Sequence, residues 1–433
     1  MRRPEPRGEA KLPAHRRALF GAFLALLGIL LLELLLFAAE RSSDRVGALL
    51  RGVPRAVPDA RLGERPNPAL AQHDARGWRN ALRPEQSFAV AIGDSQTYGE
   101  EVRPEEAWPQ RLAALSGRSV YNISLGGYGP VEYERLLDEA FELSPHVVLV
   151  GLYSGNDLAD AYLSAYPRAL APALRSEDPE LRGRCASLDA TRDLKDAWEA
   201  TREARKGSLQ RLARFAQSSR TFLLARAAWR VLESRAARAS DDEPDTEVFE
   251  NLRARAARAG GDLLLPFQDA ALATVLTPAA RLAVLDTGDP RVEEGLRIAL
   301  AALLRMADRC AGRCAFAVVG IPTKELVFAE RVRASGASAT PVLAELALRE
   351  TLVWERIRRS LRDAGIPFVD TLPVLRTLVA AARNPYRDDW NGHLVAAGNQ
   401  AIAEAVLAAG VLDLAQRPAS PRGADAARVT HGP

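Results

Sequence analysis

Phe88-Ala89-Val90-Ala91-Ile92 is an unbroken apolar run that stops at Gly93-Asp94-Ser95 and leads into a helical segment. A strand without polar alternation is buried on both faces, as in a parallel sheet covered by helices. Gly93, Asp94 and Ser95 then stand at its carboxyl end, where open α/β sheets gather their ligands. Taken alone, Gly-Asp-Ser also suits a plain strand-ending turn in which Asp94 or Ser95 caps the helix. The pattern recurs, however, and the sequence predicts strands near 87–92, 119–123, 147–152, 315–320 and 367–370 in one parallel sheet.

The ends of these strands carry particular residues. Asn122-Ile123-Ser124-Leu125-Gly126-Gly127-Tyr128-Gly129 follows the second strand and lets backbone N–H groups approach a ligand closely. The third ends in Ser154-Gly155-Asn156-Asp157, and Asp388-Asp389-Trp390-Asn391-Gly392-His393 comes late in the chain. Serine, glycine, asparagine and histidine in this order resemble the SGNH (GDSL-type) hydrolase superfamily. Asp94-Ser95-Gln96-Thr97-Tyr98-Gly99-Glu100-Glu101-Val102, with Ala107-Trp108-Pro109 and Leu112, looks like its membrane-tethered bacterial branch, over segments 86–160 and 312–409. The implied fold is α/β: an SGNH-like, flavodoxin-like parallel five-stranded sheet flanked by helices. Two positions depart from the pattern. Ser154 stands where the third block has glycine, and Trp390 where the fourth has aspartate.

The chemistry can be argued from the residues. A serine hydroxyl needs a base to take its proton, and histidine suits that task near neutral pH. Of the five histidines, His15 precedes an apolar segment, His73 lies in a linker, His431 in a Pro/Gly-rich tail, and His146 precedes a strand, at the opposite sheet edge. His393 remains as base to Ser95. An oxyanion would accept from the Ser95 N–H, the Asn156 amide and a glycine N–H; by the resemblance that glycine is Gly127, with Gly126 as fallback. Asp389 is favoured to orient the imidazole, against Asp388, or against Asn391 or a backbone carbonyl in a dyad.

Residues 18–39 are apolar and long enough to cross a hydrocarbon core of about 30 Å, interrupted by Glu33. Arg2, Arg3, Arg7, Lys11, Arg16 and Arg17 before them favour a cytoplasmic N-terminus, although Arg41, Arg45, Arg51 and Arg55 weaken the asymmetry. The expected organisation is a cytoplasmic 1–17, an uncleaved anchor at 18–39, a proline-broken stalk at 40–85, a first core part at 86–158, a helical insertion at 159–309 with a crossover helix near 292–307, a second core part at 310–412 and a disordered tail at 413–433. Within the insertion, 241–245 reads as a solvated loop, and 209–232 as a subdomain helix ahead of an interfacial membrane helix.

With a net charge of +3 in 433 residues and no aromatic interleaving of its arginines, the chain is not read as a nucleic-acid binder. No phosphate loop, dinucleotide fingerprint or metal-ligand spacing appears, so a cofactor-free mechanism is expected. Cys185, Cys310 and Cys314 leave room for one disulfide in an oxidising compartment, from Cys185 to Cys310 or Cys314. The expected partners are the membrane and an acylated small molecule or polysaccharide. Esters of carbohydrate or other cell-envelope compounds are the substrates the resemblance implies, through an acyl-Ser95 intermediate. O-Acetyl transfer to an exported polysaccharide and a silent carbohydrate-binding or assembly role on the same scaffold are the alternatives.

Overall fold

The computed structural model describes residues 14–204, 219–236, 246–260, 262–336 and 340–416. The basic residues before 14, the 241–245 loop and the tail beyond 416 lie outside the described residues. Two compact units emerge, one from residues 1–54 with 206–243, the other from 55–205 with 244–433.

In the smaller unit, helix Ala14–Ser42 carries the apolar run, and from His15 to Ser42 it is long and apolar enough to cross a membrane. Helices Asp44–Arg51 and Arg220–Ala236 pack against it.

Among its described residues the larger unit holds nine strands: β1 Ala56–Asp59, β2 Gly63–Pro66, β3 Ala89–Gly93, β4 Val120–Ser124, β5 Val147–Tyr153, β6 Leu265–Gln268, β7 Ala273–Leu276, β8 Ala315–Ile321 and β9 Phe368–Asp370. Five form one parallel sheet in the order β4-β3-β5-β8-β9. Every residue of β3, β4 and β5 is buried, as the uninterrupted apolar runs require. Helix Trp108–Ser116 packs with Ala396–Ala408, and the long crossover helix Pro290–Cys310 packs with Pro130–Phe141 and Asp157–Ala165. The order reverses between β3 and β5, so the crevice at their carboxyl ends is the switch point at which such sheets bind ligands. Each expected core strand is present, displaced by a residue or two at its ends.

Two segments differ from the sequence expectation. From Arg55 onward, the stretch read as a stalk belongs to the domain. Its prolines break helices, but Leu62 and Trp78 are buried in the core, and the Trp78 indole donates to Glu139 at 3.0 Å. Asn80 is built into the sheet edge: its amide donates to the Asn122 carbonyl and accepts from the Asn122 N–H, both at 3.0 Å, as a neighbouring strand would. The insertion also holds the antiparallel β6–β7 hairpin, whose alternation is too short to register beside the helices around it. The thiols are free. Cys310 and Cys314 lie within hydrogen-bonding reach of one another, while Cys185 neighbours Tyr162, so the disulfide that the sequence leaves room for is not formed.

Replacing Asn80 by alanine leaves a buried N–H and a buried carbonyl of the edge strand without partners, at about 1–3 kcal/mol each. Asn80→Ala is expected to lower the unfolding free energy by about 2 kcal/mol or more in denaturant titration. A stalk residue would change it by no more than about 0.5 kcal/mol.

Candidate active site

Ser95 opens a single helical turn, Ser95–Tyr98, immediately after β3. Asp94 caps that turn by accepting the Gln96 N–H at 2.9 Å. The turn sits hard against the sheet because Gly93 and Gly151, paired in register, leave the room that Thr97 fills; a Cβ on either would collide with its hydroxyl. Ser95 is therefore held at the β3/β5 crevice by close packing and by its cap.

His393 reaches the same crevice from a loop nearly 300 positions later, and its Nε2 lies 2.8 Å from Ser95 Oγ. Two clasps fix that loop. Gln96 donates to the Gly392 carbonyl at 2.9 Å and accepts the Leu394 N–H at 3.3 Å, gripping the backbone on either side of the histidine. Lys324, fully buried as the first residue of helix Lys324–Ala334 after β8, donates to the carbonyls of Arg387, Asp389 and Asn391 at 2.9, 2.8 and 3.2 Å. Burial pulls its ammonium down to about 8, with the nearby Glu325, Asp389 and Asp388 charges opposing.

Asp389 does not orient the imidazole. Its carboxylate accepts the Asn391 N–H at 2.7 Å and faces Arg387 at 3.3 Å, so it is spent on turning the loop; Asp388 is likewise taken up by Asn384 at 2.8 Å. Asn391 stands there instead, its Oδ1 2.8 Å from His393 Nδ1 and 2.9 Å from the His393 N–H. Glu101 determines which way the Asn391 amide faces. Asn391 Nδ2 donates to Glu101 Oε1 at 2.6 Å, and an ionised carboxylate only accepts. The amide oxygen must then face the ring, Nδ1 must carry the proton, and the Nε2 lone pair is left for the Ser95 hydroxyl. A chain of four side chains thus selects one tautomer. Such an arrangement can take a proton from Ser95 during attack on a carbonyl.

Gly127 and Asn156 also come to the crevice, lining a cavity of about 270 Å³ with Ser95, Tyr153, Lys195, Trp198, Arg281 and His393. Gly127 adopts φ +90°, a left-handed conformation natural to glycine, in the turn after β4. The Asn156 amide is not turned freely toward the cavity as an oxyanion donor. Its Nδ2 donates to Asp160 Oδ2 at 2.7 Å, and Asp160 also accepts from Lys195 at 2.7 Å. The contact with Asp160 accounts for the orientation, and the same amide also hydrogen-bonds to Asp94. Asp94 is nevertheless pushed up to about 7, chiefly by complete burial and further by the Asp160 charge.

The departures from the family pattern acquire reasons. Ser154 donates at 2.6 Å to Glu350, a buried carboxylate that also accepts the Thr323 N–H at 2.8 Å, so the hydroxyl ties β5 to helix Pro341–Asp363. Trp390 packs beside Phe249, Leu252 and Leu264 of the insertion, anchoring the histidine loop from outside.

Sequence reasoning passed over Arg55, Glu101 and Arg281. Arg55 pairs with Glu100, lies over the Tyr98 ring at 5.4 Å and borders the cavity. Arg281 donates to the Gly155 carbonyl at 3.0 Å and lies over Trp198 at 4.6 Å. Neither arginine belongs to the four blocks, and nothing in their local spacing marks them. Glu101 does stand within the first block, and its acidic neighbourhood was the available signal. Among the described residues no cluster of His, Cys, Asp or Glu could hold a metal ion.

No known family profile matches the sequence, and no curated protein does. Solved structures do. The chain is similar to a putative lipolytic protein of the G-D-S-L family from Desulfitobacterium hafniense DCB-2, with 12% identity over 75% of this chain and 98% of that one and a TM-score of 0.31. It is similar to phospholipase A1 from Streptomyces albidoflavus NA297, with 12% identity, 75% and 99% coverage and a TM-score of 0.35. It is also similar to a catalytic mutant of an acetylxylan esterase from Geobacillus stearothermophilus, with 11% identity, 76% and 95% coverage and a TM-score of 0.31.

Burial, then the charges of Arg281 and Arg55, hold the His393 imidazolium down to about 4, well below the usual 6.5. A lowered pKa keeps the ring neutral as pH falls, and a positive neighbour disfavours its protonation. Nuclear magnetic resonance titration, with His393→Ala assigning the signal, is expected to give a midpoint near pH 4. Arg281→Gln, which removes one of the positive charges, should move the midpoint upward.

Proposed function

We propose that this chain is an SGNH-type serine hydrolase of O-acyl esters. The observation that carries the reading is the 2.8 Å contact of His393 Nε2 with Ser95 Oγ, with Nδ1 held by Asn391. Ser95 Oγ attacks the acyl carbonyl while Nε2 takes its proton. The tetrahedral oxyanion accepts from the backbone N–H groups of Ser95 and Gly127, and from Asn156 once that amide exchanges Asp160 for the oxyanion. Collapse breaks the bond to the alcohol oxygen, which leaves with the proton from His393, and Ser95 carries the acyl group. Water then attacks the acyl-Ser95 ester, giving its proton to His393, and the acid departs as Ser95 is reprotonated.

Asn391 fixes the tautomer as an aspartate would but brings no full charge to the imidazolium. The catalytic set is therefore Ser95, His393 and Asn391, with Asp389 as a loop residue. The acyl esters are those of carbohydrate or other envelope compounds: Trp198 and Tyr153 offer aromatic surface beside the serine, and arginines border the same cavity. The chain is anchored once in the bacterial cytoplasmic membrane through residues 18–39, with the larger unit on the extracytoplasmic side. The basic residues preceding the apolar run favour that direction. Transfer of the acyl group to a sugar hydroxyl would use the same acyl-serine, with the acceptor replacing water.

A fluorophosphonate probe should label the wild-type chain at Ser95 and leave Ser95→Ala and His393→Ala unlabelled. Asn391→Leu should cut turnover of an acetylated glycan by about 10²–10⁴-fold, the range of a general-base contribution, while Asp389→Asn stays near the wild type. Unchanged turnover in Ser95→Ala would sink the acyl-enzyme reading. Released acetate against acetylated acceptor, measured in the same incubation, separates hydrolysis from transfer.

A further inference from the structure

Glu33 interrupts the leucines of the apolar helix, and a carboxylate near the centre of a bilayer costs about 2.5–3.5 kcal/mol on insertion scales. It is not left to the lipid. Its carboxylate accepts the N–H groups of Arg220 and Thr221 at 2.7 and 2.9 Å and the hydroxyls of Ser219 and Thr221, both at 3.0 Å. Arg220 and Thr221 are the first residues of helix Arg220–Ala236, whose opening N–H groups have no partner within their own helix. A negative charge there also meets the positive end of the helix dipole. The Arg220 side chain then runs along the apolar helix toward its end, lying over the Phe37 ring at 4.5 Å and donating to Glu40 at 2.7 Å.

This contact fixes a depth. Glu33 lies six residues before Ala39, the end of the apolar run, which at 1.5 Å per residue is about 9 Å. If the apolar helix crosses a bilayer, residues 219–221 enter with it to that level. Helices lying in the membrane interface bury their apolar face by about 5–10 Å. Leu223 and Ala227 are buried within the smaller unit, whereas Trp229 is 61% exposed and Arg226 is also exposed. An exposed tryptophan with an exposed arginine is the composition of the zone between acyl chains and headgroups.

We propose that helix Arg220–Ala236 is a second membrane element, lying in the lipid interface where the anchor emerges and pinned there by Glu33. The occupant of its exposed face is the lipid surface. The sequence alone favours a subdomain helix for this region; the part of it before Ser219 lies outside the described residues. The inference does not depend on the reaction assigned to Ser95.

The test uses the full chain reconstituted in phosphatidylcholine–phosphatidylglycerol vesicles, with and without bromine on the acyl chains. Brominated lipid should quench a component of the tryptophan emission that is missing in Trp229→Phe, whose turnover stays unchanged. Glu33→Leu should remain in the membrane after carbonate extraction yet lose most of the Trp229 component. Equal quenching of the wild type and Trp229→Phe would mean that protein, this chain or a second copy, covers the face, and would overturn the proposal. Full Trp229 quenching in Glu33→Leu would overturn the role of Glu33.

Discussion

One ammonium holds the histidine loop together. Among the described residues no carboxylate forms an ion pair with buried Lys324, which spends its hydrogens on three carbonyls of the 387–391 segment. The Arg387 and Asp389 carbonyls also accept from Thr274 and Val275, whereas the Asn391 carbonyl has Lys324 alone as donor among the described residues, and leaving it unmet would cost about 1–3 kcal/mol. Because Lys324 comes just after β8 and Gln96 just after β3, the loop is referenced to two strands of one rigid sheet. The separation of His393 from Ser95 is thereby inherited from sheet geometry rather than from the loop's own stiffness. Elements of the insertion complete the support, with Val275 of β7 donating to the Asp389 carbonyl at 3.3 Å.

The imidazole is oriented by polarity relayed through a neutral group. Glu101 has only acceptors to offer, Asn391 must answer with its amide nitrogen, and the ring must answer the exposed oxygen with a proton on Nδ1. Information about protonation passes along the chain without a charge beside the ring. The electrostatic consequence is one-sided: burial and two arginines disfavour the imidazolium, and among the described residues no carboxylate charge offsets them. The base is always in its receptive form near neutral pH, and it holds the proton it accepts only weakly.

How much was legible depends on where each signal is encoded. The strands were readable because burial on both faces leaves an uninterrupted apolar run, and the meeting of Ser95, Gly127, Asn156 and His393 at one cavity because they come after such runs or stand apart from other residues of their kind; the turn of the Asn156 amide to Asp160 was not. The sequence favoured Asp389 where Asn391 stands, because the outcome turns on two Asx-type turns, with Asp389 accepting from Asn391 and Asn391 from His393. Both patterns look identical as spacing. Arg281 could not be seen at all: it is brought to the cavity by a helix more than 120 positions from Asn156, and only the packing of the insertion joins them. The segment from Arg55 to Asn80 misled because its prolines report the absence of helix, which a well-packed irregular segment shares with a linker.

The Asn80 amide at the rim of β4 has a further consequence. An edge strand is a template: its free N–H and carbonyl groups invite another extended chain to add itself. By answering the Asn122 peptide group with a side chain, the fold ends the hydrogen-bonding ladder at that point without adding a strand that would present a new edge. The opposite rim, β9, is only three residues long. The sheet is thus closed to growth at one border by mimicry and at the other by brevity. That limit matters most for copies crowded side by side, where every exposed ladder has a neighbour within reach.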